Sequence, residues 1–450
     1  MNKKILVLGA GLTGLTAAYY LNRFGIPVTV LERSDCPGGT LGIGKWEGFT
    51  FDAGIHVLHG RDPKVLSFLE DELGIPLDET YRRAFFVHEG KVFPYPFQLN
   101  TYCLPLLERL QIFFQMLTPR WGSPSNYGEF LNQNFGSVLC NRFIYPYAEK
   151  FWTINPGELT TEWVASRIPR PSLSERVQGL FGEVKGDFGP NAFFRYPQRG
   201  GISSLAETLA RRLQKQIIYS AEVSRIEPES HSVTCADGRT YDYNICLSTL
   251  PLPLTVRLLH PIDAEINQKA SRLQYTSIIS LSVGIGGEIP HDYHWVYFPS
   301  LSEPMARVHF PGNISPYTVP AGCYSLQIEV ALRGPVISPE VAPGFWEGCL
   351  DRLRKLELMG EKKNVLFVKE HLIEPAYVIY DHYRMLHLPK ILEWIMEKSI
   401  IPVGRFGEWN YHWMHDSILS GKMAAIGALT RLWPELKDLN PTRDIFSAKV

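Results

Sequence analysis

The chain has 450 residues, 45% of them apolar and 20% charged, with a formal net charge of −1. That balance excludes a global basic field of the kind that gathers nucleic acid polymers. No apolar run reaches membrane-spanning length, so insertion into a membrane is not expected.

A chain this long can bury a large core, and two intertwined domains are expected. Seven cysteines stand without CxxC pairs or metal-ligand spacing. The expectation is a reducing, cytoplasmic compartment, with neither a disulfide framework nor a metal.

The opening residues organise the rest. An apolar run at 5–8 leads into Gly9-Ala10-Gly11-Leu12-Thr13-Gly14, then a helix-like stretch at 15–24, a second apolar run at 28–31, and Glu32. Strand, glycine turn, helix, strand and acid make the dinucleotide-binding fingerprint. Gly9 permits the tight turn, Gly11 lets backbone N–H groups approach a pyrophosphate, and Gly14 lets the helix pack on the strand. The helix N-terminus, with Thr13 in its first turn, offers partial positive charge to phosphates. Glu32 can accept hydrogen bonds from a ribose hydroxyl. Met1-Asn2-Lys3-Lys4 before an apolar run could also open a secretory signal, but the glycine spacing and the missing small-residue cleavage site favour a buried first strand.

Arg33-Ser34-Asp35-Cys36-Pro37-Gly38-Gly39-Thr40 follows, and then Gly48-Phe49-Thr50-Phe51-Asp52-Ala53-Gly54-Ile55-His56. These stretches resemble the second motif segment of the FAD family that holds amine oxidases, protoporphyrinogen oxidases, phytoene desaturases and UDP-galactopyranose mutases. The resemblance implies that the segment from Arg33 through Gly39 and Thr40 wraps the FAD phosphates and that His56 lies beside the isoalloxazine. It implies an α/β fold: a Rossmann-like FAD-binding domain of the glutathione-reductase-like type, with an inserted helical and mixed-sheet substrate domain. The first would draw on 1–80, 190–275 and 395–450, the second on 81–189 and 276–394.

Residues 62–73 read as a helix stopped by Gly74. Residues 81–92 read as a hairpin around Glu89-Gly90. In Phe93-Pro94-Tyr95-Pro96-Phe97-Gln98-Leu99-Asn100, prolines at alternate positions predict an extended segment free of a central sheet. It suits either stacking on a planar ring or a stiff crossing of the core. Residues 104–180 read as mainly helical. The stretch 104–117 predicts an amphipathic helix packed on the body, with a membrane-surface helix as the alternative. Trp152 and Arg167 flank a turn at Asn155-Pro156-Gly157, where two helices are expected to meet. Trp152 alone suits a core, whereas Arg167 among apolar neighbours calls for an anionic partner.

Gly189-Pro190-Asn191-Ala192-Phe193-Phe194-Arg195-Tyr196-Pro197-Gln198-Arg199-Gly200-Gly201 resembles a stretch of the eukaryotic-type branch of UDP-galactopyranose mutases. The Tyr95–Gln98 and Glu149–Trp152 segments and Arg167 fall in that branch's order. Strands are expected at 217–226, 233–236 and 241–247, and the resemblance implies that Val223 lies against the adenine through its backbone. Long strands of the second sheet are expected at 277–285 and 324–331. Tyr297 and Arg307 resemble a Tyr and Arg that contact the substrate diphosphate in that branch, so Arg167 and Arg307 would clamp it. The alternative pairs Arg307 with an acid on the sheet. Near the end, Ile401-Pro402-Val403-Gly404-Arg405-Phe406-Gly407 and Asp416-Ser417 resemble the last flavin motif, with a helix at 417–432. Tyr377 and Tyr411 align with tyrosines near the diphosphate.

Together the resemblance implies an enzyme that uses reduced FAD, through its N5, to interconvert pyranose and furanose forms of a nucleotide sugar. Its catalytic residues would be Arg167, Arg307 and His56. Its substrate contacts would be Tyr95, Gln98, Trp152, Asn191, Tyr297, Tyr377 and Tyr411, and NAD(P)H is one candidate reductant. The alternative is an oxidoreductase of the protoporphyrinogen or amine oxidase kind, with an apolar site and no diphosphate clamp. Ile55 and His412-Trp413-Met414-His415 depart from the branch's usual residues, and these changes leave open a different sugar or a different reaction.

Overall fold

The computed structural model describes residues 3–59, 62–117, 122–164, 172–184, 192–336, 341–361 and 364–434. Its first sheet has five parallel strands in the order Ile400–Pro402, Ile245–Ser248, Ile5–Leu8, Val28–Leu31 and Ile217–Ile218. Ile5–Leu8 is central and buried throughout. That is why it reads as an unbroken apolar run rather than an alternating one. The helix Leu12–Arg23 carries the chain over to the next strand and packs against Ser203–Arg212 and Met414–Leu432. Glycine permits that closeness: a Cβ on Gly14 would lie 2.1 Å from the Gly9 carbonyl oxygen, and one on Gly421 would lie 2.4 Å from that of Thr13.

The second sheet has seven strands, in the order Val365–Val378, Tyr275–Gly286, Cys323–Arg333, Arg307–His309, Trp295–Tyr297, Ala84–His88 and Lys91–Pro94. Neighbours run antiparallel except Trp295–Tyr297 beside Ala84–His88, so the sheet is mixed. The hairpin expected at 81–92 forms around Glu89 and Gly90, whose φ values of 46° and 77° give the turn the twist that paired strands need. The helices Leu106–Leu117, Tyr127–Leu139, Tyr145–Trp152 and Leu173–Phe181 make up the helical insertion.

Two expectations change. The segment 93–100 is not extended throughout. Pro94 pairs with Phe85 at the sheet edge, where a missing N–H does no harm, and beyond Tyr95 the chain turns, with the Leu99 N–H donating to the Pro96 carbonyl at 3.1 Å. The helix Leu106–Leu117 packs on the body through Ile112 and Met116 only, and leaves Leu106, Leu107, Leu110, Phe114 and Leu117 exposed. After Tyr145–Trp152 the chain passes through Thr153 at φ 57° into the turn Pro156–Glu158. The partner helix expected to carry Arg167 falls outside the described residues, as does Asn191. Among the described residues no helix is long and apolar enough to cross a membrane.

Candidate functional site

A cleft of about 1720 Å³ runs from the C-terminal ends of the parallel strands to the inner face of the second sheet. Open α/β sheets bind ligands at those strand ends. Gly9, Gly11, Thr13, Glu32, Arg33, Gly39, Thr40 and Val223 line one half, and Gly404, Arg405 and Ser417 line the wall beside Thr13.

The first half is built largely from backbone. Gly11 caps the helix Leu12–Arg23, with no side chain on the helix end and no acid in its first turn. A Cβ on Gly11 would meet nothing within 4 Å, so this helix N-terminus opens on the cleft with its first N–H groups unspent. Gly38 and Gly39 sit at φ 126° and 56°, which glycine adopts readily, and the Gly38 N–H donates to the Ala10 carbonyl at 2.9 Å. Glu32 is buried. One of its oxygens accepts the Ala10 N–H at 2.7 Å and the other the Ser34 N–H at 2.9 Å. Each oxygen keeps a lone pair for a ribose hydroxyl. An open helix end, a glycine cradle and a poised carboxylate fit a dinucleotide pyrophosphate and its ribose. Gly14 lies beneath this surface as a packing residue.

The wall formed by Gly404, Arg405 and Ser417 is less direct than the sequence suggests. Gly404 approaches Thr13 so closely that a Cβ there would lie 2.5 Å from the Thr13 hydroxyl. Arg405 donates to the carbonyls of His412 at 2.6 Å and Ala376 at 2.9 Å, and its guanidinium lies 5.0 Å from the rings of Tyr377 and Tyr411. It therefore braces the wall. Asp416, expected among the cofactor contacts, does not line this cleft. It accepts the Trp413 N–H at 2.9 Å and faces His415 at 3.2 Å, so it caps the helix Met414–Leu432.

The Asp52–His56 motif is anchored from two sides. Asp52 accepts the Tyr196 hydroxyl at 2.5 Å and the Ile202 N–H at 3.0 Å. Burial pushes its carboxyl up to about 7, against the pull of those two hydrogen bonds. From the other side Gln327 donates to the Asp52 carbonyl at 3.2 Å, and Glu329 accepts the Ile55 N–H at 2.9 Å. His56 keeps some surface toward the cleft although protein surrounds it. Burial, then the charges of Arg405 and Arg307, lower it to about 4. It is a neutral imidazole near neutral pH, and its Nδ1 has no hydrogen-bond partner in the structure. That leaves it able to orient a ligand but not to begin as an acid.

Arg307 pairs with an acid. Its Nε and Nη2 donate to one oxygen of Glu329 at 2.9 and 2.6 Å, directly across the strand pair. Burial works against the guanidinium's charge, and the Glu329 carboxylate together with Tyr377, Tyr297 and Tyr147 more than offsets this and holds the group well above its ordinary value. Of the expected two-arginine clamp, Arg167 lies outside the described residues, and Arg307 makes the pairing with an acid that was its alternative. The antiparallel register puts residues 307 and 329 face to face, which local sequence does not show.

The aromatic residues split into two layers. Tyr377 and Tyr411 line the cleft, 5.6 Å apart. Trp152 stands behind them, 5.8 Å from Tyr411 and 4.8 Å from Trp163, as a core residue 4% exposed. Tyr297 lies opposite Arg307 in register, with its ring 4.7 Å from Tyr95. Tyr95, Tyr297 and buried Gln98 lie outside the cleft lining.

Two important residues escaped the sequence reading. Glu329 had a signal: Ser325, Gln327 and Glu329 alternate as polar residues in an otherwise apolar strand, all buried on one face. Arg384, 4% exposed, holds the loop before Tyr411 by donating to the Trp409 carbonyl at 3.0 Å and to Asn410 at 2.7 Å. It sits on the far helix His382–Met396 and gave no local signal.

The chain matches the model of the family described as flavin containing amine oxidoreductase over residues 12–307. It is 46% identical to 4,4'-diapolycopene oxygenase from a Methylomonas species, over 84% of each chain. It is 24% identical to human lysine-specific histone demethylase 2 over 72% of its own length, and spans 38% of that longer protein. Among solved structures, reduced UDP-galactopyranose mutase superposes with a TM-score of 0.87 at 27% identity, over 98% of both chains. The chain belongs to the flavin-containing amine oxidoreductase family, which implies FAD as its cofactor.

Proposed function

We propose that the protein is an FAD-dependent mutase that interconverts pyranose and furanose forms of a nucleotide sugar. The observation that carries this reading is the end-to-end likeness to reduced UDP-galactopyranose mutase, which extends over the second sheet as well as the flavin half. Placement in the eukaryotic-type branch belongs to the same proposal and rests on the 189–201 motif and its companions.

Reduced FAD, when bound, supplies the nucleophile toward the sugar's anomeric carbon. In this reading Gly9, Gly11, Thr13, Glu32, Arg33, Gly39, Thr40, Val223, Gly404, Arg405 and Ser417 hold the cofactor, and Gly14 packs beneath it. Arg307 keeps Nη1 outside its pair with Glu329, so it offers one donor to a diphosphate oxygen beside Tyr377 and Tyr411. Arg167 and Asn191 complete the diphosphate and sugar contacts, by resemblance. Tyr95, Gln98, Trp152 and Tyr297 act as the backing that fixes the reacting layer. Neutral His56 orients the flavin-side loop. The chain's contribution is electrostatic preorganisation around a departing diphosphate rather than proton transfer.

The test is to mix dithionite-reduced holoprotein with UDP-galactofuranose and follow UDP-galactopyranose by chromatography. Conversion only in the reduced state, lost in Arg307→Ala, is expected. No conversion, with UDP leaving the flavin spectrum unchanged, would refute the mutase reading. The second reading is an FAD-dependent oxidoreductase of the protoporphyrinogen or amine oxidase type, favoured by the 46% identity to 4,4'-diapolycopene oxygenase. It predicts flavin reduction by an apolar polyene, a porphyrinogen or an amine, with oxygen consumed on reoxidation.

A further inference from the structure

We propose that Lys150 is a positioning residue for Arg307, which it fixes in the cleft by holding the loop that leads to it. Its ammonium donates to the carbonyls of Phe298 at 2.6 Å, of Ser300, and of Met305 at 3.1 Å. A lysine ammonium has three protons and no acceptor, so these three carbonyls use it completely. Burial lowers it to about 8 against the pull of the Glu303 charge, and Glu303 is itself paired with Arg352 at 2.6 Å. A lysine near the end of a helix ordinarily keeps its charge in water. Here much of that water is exchanged for backbone carbonyls.

The loop begins where the strand pair ends. Tyr297 stands opposite Arg307 in register, and the Phe298 N–H then donates to the Ala306 carbonyl at 3.1 Å. Phe298 follows Tyr297 directly and Met305 stands two residues before Arg307, so Lys150 grips both stems of the loop. Phe298 and Met305 are fully buried, and among the described residues no other group donates to either carbonyl. A buried carbonyl without a donor is costly, so loss of the ammonium drives both stems to shift toward water.

The helix Tyr145–Trp152, which carries Lys150, is held independently of that loop. Phe151 lies 4.6 Å from Tyr377, and Trp152 lies 5.8 Å from Tyr411 and 4.8 Å from Trp163. It is therefore a fixed reference for the two tyrosines that line the cleft. Lys150 extends the same reference to the strand hairpin that supplies Arg307. Aromatic contacts alone tolerate sliding, whereas hydrogen bonds to three carbonyls from one ammonium define a single placement. A misplacement of about 1 Å in a binding group can cost about a hundredfold in rate. The proposal rests on the reading of Arg307 as a diphosphate contact.

The experiment compares the FAD-loaded parent with Lys150→Met and Lys150→Ala. UDP affinity is measured by calorimetry and, after dithionite reduction, conversion of UDP-galactofuranose by chromatography. Lys150→Met should lower UDP affinity and kcat/KM at least about tenfold, with flavin content unchanged. Propylammonium, which replaces the atoms missing from Lys150→Ala, should restore UDP affinity to that variant. Equal rescue by propanol would mean that filled volume is what the site needs, and would overturn the proposal. In the Arg307→Met, Glu329→Leu background, which lacks the diphosphate donor, Lys150→Met should weaken UDP binding by no more than about twofold. The same loss in both backgrounds would overturn the proposal, since Lys150 would then act elsewhere. A lower melting temperature with parental UDP affinity ends this role alone and leaves the mutase reading standing. A parent that neither binds UDP nor converts UDP-galactofuranose ends both together.

Discussion

The two halves of the cleft are built from different materials. The half formed by the glycine fingerprint is glycine and backbone: an open helix N-terminus at Gly11, the Gly38–Gly39 cradle, and Glu32 tied to two N–H groups. The far half is a network of long side chains, with Arg307 on Glu329, Glu329 on the Ile55 N–H, and Arg405 braced on two carbonyls. A backbone site fails when a side chain is added. A side-chain network fails when a partner is removed.

That contrast can be broken most sharply at two glycines. Gly14→Ala would drive a methyl into the Gly9 carbonyl and should cost about 3 kcal/mol or more of stability, with no flavin retained. Gly11→Ala meets no atom within 4 Å, and its φ of −73° suits alanine. It should leave the apoprotein's melting temperature unchanged while weakening FAD binding at least about tenfold, since the methyl enters the cofactor's space. Paired apoprotein melts and flavin titrations decide this, and equal melting losses in both would show that the two glycines do the same job.

On the other side, Glu329→Ala leaves the Arg307 guanidinium buried and uncompensated, at a cost of about 3–5 kcal/mol. Removing both charges as Arg307→Met with Glu329→Leu should recover most of that stability but not activity. Denaturant unfolding of the two single variants and the double gives the coupling. Additive losses would mean that the pair is not a unit.

The same contrast governs what the sequence made legible. Gly9-Ala10-Gly11-Leu12-Thr13-Gly14 and Glu32 act through local backbone geometry, so their spacing along the chain was enough to place them. The Arg307–Glu329 pair depends on strand register, which brings residues 22 apart to one point, and the reading from sequence preferred a clamp. Trp152 was read toward substrate, but the helical insertion buries it behind Tyr411. The helix expected over 104–117 forms at Leu106–Leu117 and packs on the body through Ile112 and Met116, but much of its apolar set stays exposed. Periodicity reveals an apolar stripe but not what covers it.

Asp52 joins the two halves and supplies a prediction in pH. Its carboxyl is raised by burial from 3.8 to about 7 in the folded protein, so the folded state holds a proton that the unfolded state releases. Stability from this group is therefore complete below pH 4 or so and is lost as pH climbs toward about 7. The lowered histidines act the other way: His56 at about 4 and His59 and His294 at about 3 withdraw stability as pH falls below 6.5. Asp52→Asn removes only the first effect and keeps groups that can meet Tyr196 and Ile202. Its stability relative to the parent should rise steadily from pH 4 to pH 7, while the histidine contribution cancels in the difference. A pH-independent difference between the two melting curves would mean that Asp52 is ionised in the folded protein throughout.

The smallest effect belongs to Asp416, where sequence and structure assign different jobs. A flavin contact predicts that Asp416→Ala weakens FAD binding with little change in apoprotein stability. A helix cap predicts the reverse, because the Trp413 N–H would lose its acceptor at the start of Met414–Leu432. The capping role should cost about 1 kcal/mol. Ser417, one residue on, lines the cleft and provides the control: Ser417→Ala should weaken FAD binding modestly while the apoprotein melts as before. Measuring apoprotein melting and flavin affinity for both variants separates the two jobs along a single helical turn. The cap assignment falls if Asp416→Ala loses flavin affinity as Ser417→Ala does while its melting temperature holds.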